Sequence, residues 1–277
     1  MTEGRVGLIA GGGALPGEAM RRLREAGVDV TLVGFEGISE PGLVASEDRL
    51  VLGQIDRLLD RMRARRVQSL LIVGRFDPSL VAAPSSLFEP DETARRLFEG
   101  APPEAHVAWM STVADFLEAE GLPLARQDRL LAPLLAKPGP IGRLSPTPAQ
   151  RADVAAGRAL LAGQPPHALG QAVAVKDGVL VARETTAGTD ALIRSAGQES
   201  GPGVTIVKAA RPGQDPRLDL PAIGPETVDV LAQVEGAALA IEAGATIVIE
   251  AEEVARLADA RGLVVWAFDA DEDEGGA

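Results

Sequence analysis

The stretch RVGLIAGGGALPGEAMRRLREAGVDVTLVG, from Arg5 to Gly34, decides the fold. Val6-Gly7-Leu8-Ile9-Ala10 is a short apolar run of the kind that forms a buried strand. Gly11-Gly12-Gly13 breaks it and marks a turn. Leu15, Ala19, Leu23 and Ala26 then recur at helical spacing, so Pro16–Ala26 is predicted to be a helix. Pro16 suits the first turn, where its missing N–H removes no bond. Val28–Val33 is apolar again and predicts the next strand. A strand, a glycine turn, a helix and a second strand make a βαβ unit, which implies a parallel sheet covered by helices on both faces.

The pattern continues outward from there. Asp56–Arg65 predicts a basic amphipathic helix and Ser69–Val73 a buried strand, with further helices over Glu92–Glu99 and Ser111–Glu120. The fold class is therefore α/β, with a Rossmann-like parallel-sheet domain over residues 1–136. Residues 137–148 hold Lys137-Pro138-Gly139-Pro140 and Ser145-Pro146-Thr147-Pro148, which can continue neither a helix nor a central strand, and read as a linker. Residues 149–268 read as a second, mixed α/β domain. Its helices are Ala149–Gly163, a segment from Pro225 to Gln233, and Glu252–Arg261. Gln171–Lys176 and Val179–Glu184, joined by Asp177-Gly178, read as a hairpin. Gly203–Lys208, Ala237–Ile241, Ala245–Ile249 and Leu263–Phe268 read as strands. Residues 269–277 form an acidic tail.

Twenty-seven Lys and Arg against 40 Asp and Glu give a net charge of −13, which argues against nucleic acid as a partner. Over half of the excess, −7, lies after residue 245, where 2 basic residues meet 9 acidic ones. The body is only mildly acidic and can meet an anionic substrate through local cations. Cysteine is absent, which excludes disulfides, zinc–thiolate sites and a cysteine nucleophile. The two histidines, His106 and His167, have no partner at ligand spacing and read as surface or packing residues. There is no leader pattern and no apolar run of ~18 residues, so a cytoplasmic protein without a membrane span is expected.

Two regions carry chemistry. Gly11, Gly12 and Gly13 at a strand-to-helix turn offer backbone N–H groups at a positive helix end, as a phosphate site does. A plain βα turn has the same sequence, and both readings stand at this point. Gly11 and Gly13 give G-x-G, but Pro16 occupies the third glycine position of the dinucleotide fingerprint. Glu36 after the second strand keeps a dinucleotide reading in play. The second region is denser. Glu184 ends the hairpin, Gly188-Thr189-Asp190 opens a helix, and Lys208, one of three lysines, ends a strand. The loop from Arg211 to Gly224 then sets Asp215 and Asp219 between and beside Arg211 and Arg217. Carboxylates for a cation beside bases for an anion are what a magnesium–phosphate site uses.

Gly7-Leu8-Ile9-Ala10-Gly11-Gly12-Gly13-Ala14-Leu15-Pro16, Leu144–Pro146, Gln171-Ala172-Val173, Gly188-Thr189-Asp190, Lys208, Pro212, Gln214, Arg217, Asp219-Leu220-Pro221-Ala222-Ile223-Gly224, Glu242-Ala243-Gly244 and Ala258-Asp259 occur in this order. Together they resemble the UDP-2,3-diacylglucosamine pyrophosphatases of lipid A synthesis that are unrelated to calcineurin-like phosphoesterases. The resemblance implies a two-domain hydrolase. It would split UDP-2,3-diacylglucosamine into UMP and 2,3-diacylglucosamine 1-phosphate with Mg²⁺ or Mn²⁺, water attacking the sugar-side phosphorus. It implies that Asp219 is essential and, with Asp190, catalytic. Asp219, Asp190, Glu184 and Glu242 would be the metal carboxylates. Gly11, Gly12, Gly13, Thr189, Lys208, Gln214 and Arg217 would hold the substrate.

The implied partner is a nucleotide-sugar lipid. Its acyl chains would bring the protein to the inner membrane as a peripheral contact, and a homodimer is left open. Asp56-Arg57, Gly74-Arg75-Phe76-Asp77-Pro78 and Ala187 depart from the family pattern. They motivate one alternative, a non-catalytic nucleotide-sugar binder; Gly11, Gly13 and Glu36 motivate another, a dinucleotide-binding Rossmann protein.

Overall fold

The computed structural model describes residues 4–76, 80, 86–99, 106–165 and 170–270. His167 and the acidic residues beyond Ala270 lie outside the described residues, as do Asp77 and Pro78. Two compact units emerge. Unit 1 comprises Met1–Ala132 together with Pro216–Asp219, and unit 2 comprises Pro133–Asp215 and Leu220–Ala277.

Unit 1 begins with β1 (Val6–Ala10), α1 (Leu15–Glu25) and β2 (Val30–Phe35). It continues with β3 (Arg49–Leu50), α2 (Ile55–Ala64) and β4 (Ser69–Val73). Helices α3 (Glu92–Phe98), α4 (His106–Ala119) and α5 (Gln127–Leu130) complete it. The sheet order is β3-β2-β1-β4 and every pairing is parallel, as the opening βαβ pattern requires. All five residues of β1 are buried, because a central parallel strand is covered on both faces. Leu8, Leu70 and Leu71 are fully buried, each worth about 2–3 kcal/mol of transfer free energy. Leu70→Ala would leave a cavity at about 2–5 kcal/mol. Leu218 packs against the same core, which is why its short segment counts with unit 1. Helix α4 starts five residues before the predicted Ser111, since nothing from His106 to Met110 breaks a helix.

Unit 2 runs β5 (Gly139–Pro140), α6 (Pro148–Ala162), β6 (Ala172–Lys176), β7 (Val179–Arg183) and α7 (Thr189–Ser200). It goes on through β8 (Thr205–Lys208), β9 (Ala222–Ile223), α8 (Pro225–Gln233) and β10 (Ala238–Glu242). It closes with β11 (Ile247–Val248), α9 (Ala251–Arg261) and β12 (Val264–Phe268). The main sheet has the order β5-β12-β10-β8-β6-β7. Strands β8, β10 and β12 are parallel, while β6 runs against β8 and β7, so the unit is mixed as expected. The Asp177-Gly178 turn has positive φ at both residues, 53° and 74°, the geometry that matches the twist of a tight hairpin.

The stretch read as a linker carries structure of its own. Ala136 and Gly139-Pro140 are built into unit 2: Ala136 N–H donates to Thr246, and β5 pairs with the edge of β12. Proline is tolerated there because an edge strand needs only one of its sides bonded. Thr147 caps α6 through a reciprocal bond with Gln150, which fixes the start of that helix.

Candidate active site

In open α/β sheets, ligands bind outside the carboxyl ends of the strands. In unit 2, β7 ends at Arg183, β8 at Lys208 and β10 at Glu242. Antiparallel β6 starts at the same edge, Ala172 facing Lys208. Gln171, Glu184, Lys208 and Glu242 are thereby delivered to one edge from positions up to 71 residues apart. Thr189 and Asp190 join them as the first residues of α7. The chain enters that helix through Gly188 at φ 86° and ψ 177°, a conformation open essentially to glycine alone.

A buried chain of polar groups links these residues. Lys208 Nζ donates to Thr189 Oγ1 at 2.7 Å, and Thr189 Oγ1 donates to Glu184 Oε1 at 2.5 Å. Glu184 Oε2 accepts from the Gln171 backbone N–H at 2.6 Å. Lys208 and Glu184 are only 5% and 8% exposed, with 4.0 Å between Nζ and Oε1. Because an ammonium carries three protons, the bond to one neutral hydroxyl leaves donors to spare. Those donors can meet an anion such as phosphate, with the Glu184 carboxylate balancing part of the ammonium's charge.

Further out, Arg211 N–H donates to Gln214 Oε1 at 2.8 Å, and Gln214 Nε2 donates to Gln171 Oε1 at 3.2 Å. Glu242 Oε2 accepts from Ala210 N–H at 2.8 Å. Among the described residues no three His, Asp or Glu side chains form a ready cage for a metal. Magnesium does not require one: one or two carboxylates suffice when substrate phosphates and water complete the shell. Glu184 has both oxygens engaged by the protein. Asp190, at the start of α7, and Glu242 are the half-buried carboxylates at this edge of unit 2.

The amides of the glycine turn of unit 1 are bonded within the protein. Gly11 N–H donates to Val73 O at 2.8 Å, Gly12 N–H to Arg75 O at 2.9 Å, and Gly13 N–H to Glu40 Oε1 at 3.2 Å. All three amides proposed for the substrate are held by the protein. Gly11 is required by close approach, since a Cβ there would lie 2.8 Å from the Gly74 carbonyl carbon, whereas Gly13 has open space around it and is required by its φ of 85°. Arg217 and Asp219 count with unit 1. Arg217 Nη1 donates to Glu118 Oε1 at 2.6 Å, and Pro216 O accepts from Gln127 N–H at 2.8 Å.

The structure thus brings Glu184, Thr189 and Lys208 into one bonded chain and places Gln214, Asp190 and Glu242 on the same unit. Sequence reasoning missed Glu40, Glu118 and the hub position of Gln171. Only Gln171 carried a signal, as part of the Gln-Ala-Val stretch.

Comparison with known proteins agrees over nearly the whole chain. Residues 5–134 match the LpxI N-terminal domain and residues 137–266 the LpxI C-terminal domain. A Caulobacter vibrioides protein described as UDP-2,3-diacylglucosamine pyrophosphatase LpxI is 28% identical over 282 residues, covering 97% of this chain and 99% of that one.

Proposed function

The chain belongs to the LpxI family, and from that premise we propose that it hydrolyses UDP-2,3-diacylglucosamine to UMP and 2,3-diacylglucosamine 1-phosphate. Water adds to the sugar-side phosphorus. The bridging P–O bond breaks, UMP departs with that oxygen, and the proton of the water passes to the protein or solvent.

The observation that carries this reading in the structure is the buried Lys208 ammonium, which keeps donors to spare at the carboxyl edge of the sheet. It suits a pyrophosphate oxygen, with Thr189 and Gln214 beside it. Asp190, supported by Glu242, would supply carboxylate oxygens to Mg²⁺ or Mn²⁺. The ion would screen the charge that builds on the phosphoryl oxygens. Asp219 would activate the attacking water and Arg217 would pair with phosphate. Glu184 orients Thr189. No helix among the described residues is long and apolar enough to cross a membrane. We therefore propose peripheral contact with the inner membrane, through the acyl chains of the substrate, from the cytoplasmic side.

Release of UMP from this substrate by the purified protein, with and without EDTA, tests the proposal. Metal-dependent UMP release is expected. Tight binding of the UDP-sugar with no turnover would replace it with a non-catalytic binder. UMP release unaffected by EDTA would remove the metal.

A further inference from the structure

Gln171 joins three parts of this edge: Glu184, the residue after Lys208, and Gln214. Its backbone N–H donates to Glu184 Oε2 at 2.6 Å, and its carbonyl accepts from Ala209 N–H at 3.0 Å, one residue past Lys208. Its side-chain oxygen accepts from Gln214 Nε2 at 3.2 Å. Gly170 makes this possible. It sits at φ 86°, and a Cβ there would lie 2.4 Å from the Glu184 carbonyl oxygen. The backbone can approach Glu184 this closely only without a side chain at 170.

The stretch held by that side chain has little stiffness of its own. It contains Pro212 and Gly213, the latter at φ 73°, and is closed by the Gln214 N–H to Arg211 O bond at 3.0 Å. Such a turn keeps its internal shape, and its bonds to the sheet set how it sits there. Gln171 Oε1 ties it to the start of β6, beside Lys208.

We infer that the Gln171 side chain is a positioning group, fixing the Arg211–Gln214 turn against the Lys208 site so that Gln214 is held in working register. Gln171 touches no reacting atom in this role; it acts through Gln214. The inference rests on the pyrophosphatase reading above and deepens it. The two backbone bonds of residue 171 survive any substitution of its side chain, so the amide can be tested without dismantling the edge.

The test is UMP release by the full-length protein and its Gln171→Met, Gln171→Glu, Gln214→Met and doubly substituted Met forms, with a thermal midpoint for each. Misplacement of a supporting group should lower kcat by about 10- to 100-fold in Gln171→Met. KM should stay within about threefold, because Lys208 still binds phosphate. Gln171→Glu keeps an acceptor oxygen for Gln214 and should recover most of the rate at unchanged thermal midpoint. The double Met form should be no slower than the slower single form, since both cut the same bond. Wild-type kcat in Gln171→Met, or losses that multiply in the double form, would overturn the inference. If Gln171→Met does not fold, Gln171→Asn decides, its amide one methylene too short to reach Gln214: the same loss of kcat is expected, and wild-type kcat overturns the inference. A wild-type protein that releases no UMP would instead bring down the pyrophosphatase reading itself.

Discussion

The glycine turn of unit 1 and the carboxyl edge of unit 2 invert what their sequences advertise. Gly11-Gly12-Gly13 is the most conspicuous motif in the chain, yet its three amides are bonded to Val73, Arg75 and the Glu40 carboxylate. The unit 2 residues are scattered from Gln171 to Glu242, yet they converge on a buried ammonium that has donors to spare. A turn whose donors are satisfied has little left to offer a phosphate; a desolvated ammonium bonded to one hydroxyl, with the Glu184 carboxylate 4.0 Å away, still has N–H donors to give one. Unspent hydrogen-bonding capacity, more than motif density, separates the two regions.

That contrast can be broken by experiment. The largest effect is expected from Lys208→Met, which removes the spare donors while keeping the length of the stem. UMP release should fall by about 10²–10³-fold, the usual loss for a donor aimed at a charged oxygen. A rate within tenfold of wild type would move the phosphate site elsewhere. Next comes Gly11→Ala. The methyl group would press on the Gly74 backbone and the Phe76 ring, so overpacking should cost about 1–3 kcal/mol in denaturant unfolding. The rate per folded molecule should stay within about threefold if the turn is structural. A large loss of rate at full stability would return the turn to the active site.

Smaller still is Glu40→Ala, which frees the Gly13 N–H. Because this bond is exposed, the stability change should be below about 1 kcal/mol by urea unfolding. A gain in affinity for inorganic phosphate would show that Glu40 masks an anion site, sharpening the contrast. The smallest effect concerns Glu18 in α1. Burial pushes its carboxyl up, but the Arg21 and Arg22 guanidiniums outweigh this and hold it below its ordinary 4.5. The folded form therefore gains stability that is fully present above pH 4.5 and lost as pH falls through the lowered value. The thermal-midpoint gap between wild type and Glu18→Gln should narrow across that window. A gap independent of pH would mean the pairing adds nothing measurable.

Much of this architecture was legible from the chain. The β1–α1–β2 unit follows from an apolar run, a glycine break and helical spacing, all of them local signals. The hairpin at Asp177-Gly178 follows from a turn whose residues accept positive φ. Strands β3, β5 and β9 were not legible, because two-residue pairings leave no periodicity to read, whereas β11 lies within the stretch Ala245–Ile249 that reads as a strand. In the candidate site, Glu184, Thr189 and Lys208 could be named from strand ends and a helix start. Glu40 and Glu118 could not. They reach Gly13 and Arg217 across 27 and 99 residues, and nothing near either acid in sequence signals the partner.

The four residues Pro216–Asp219 also set a timetable for synthesis. Unit 1 is otherwise finished at Ala132, yet Leu218 belongs to its core and Arg217 is the partner of its Glu118. At 5–20 residues per second, the ribosome needs roughly 4–17 s to travel the 87 residues from Ala132 to Asp219. During that interval the nascent first unit waits with its last core contact unmade, while most of the second unit emerges behind it. A transcript truncated after residue 132 would encode a unit permanently short of that contact, so splitting the gene there should yield a more protease-sensitive half than the boundary alone suggests.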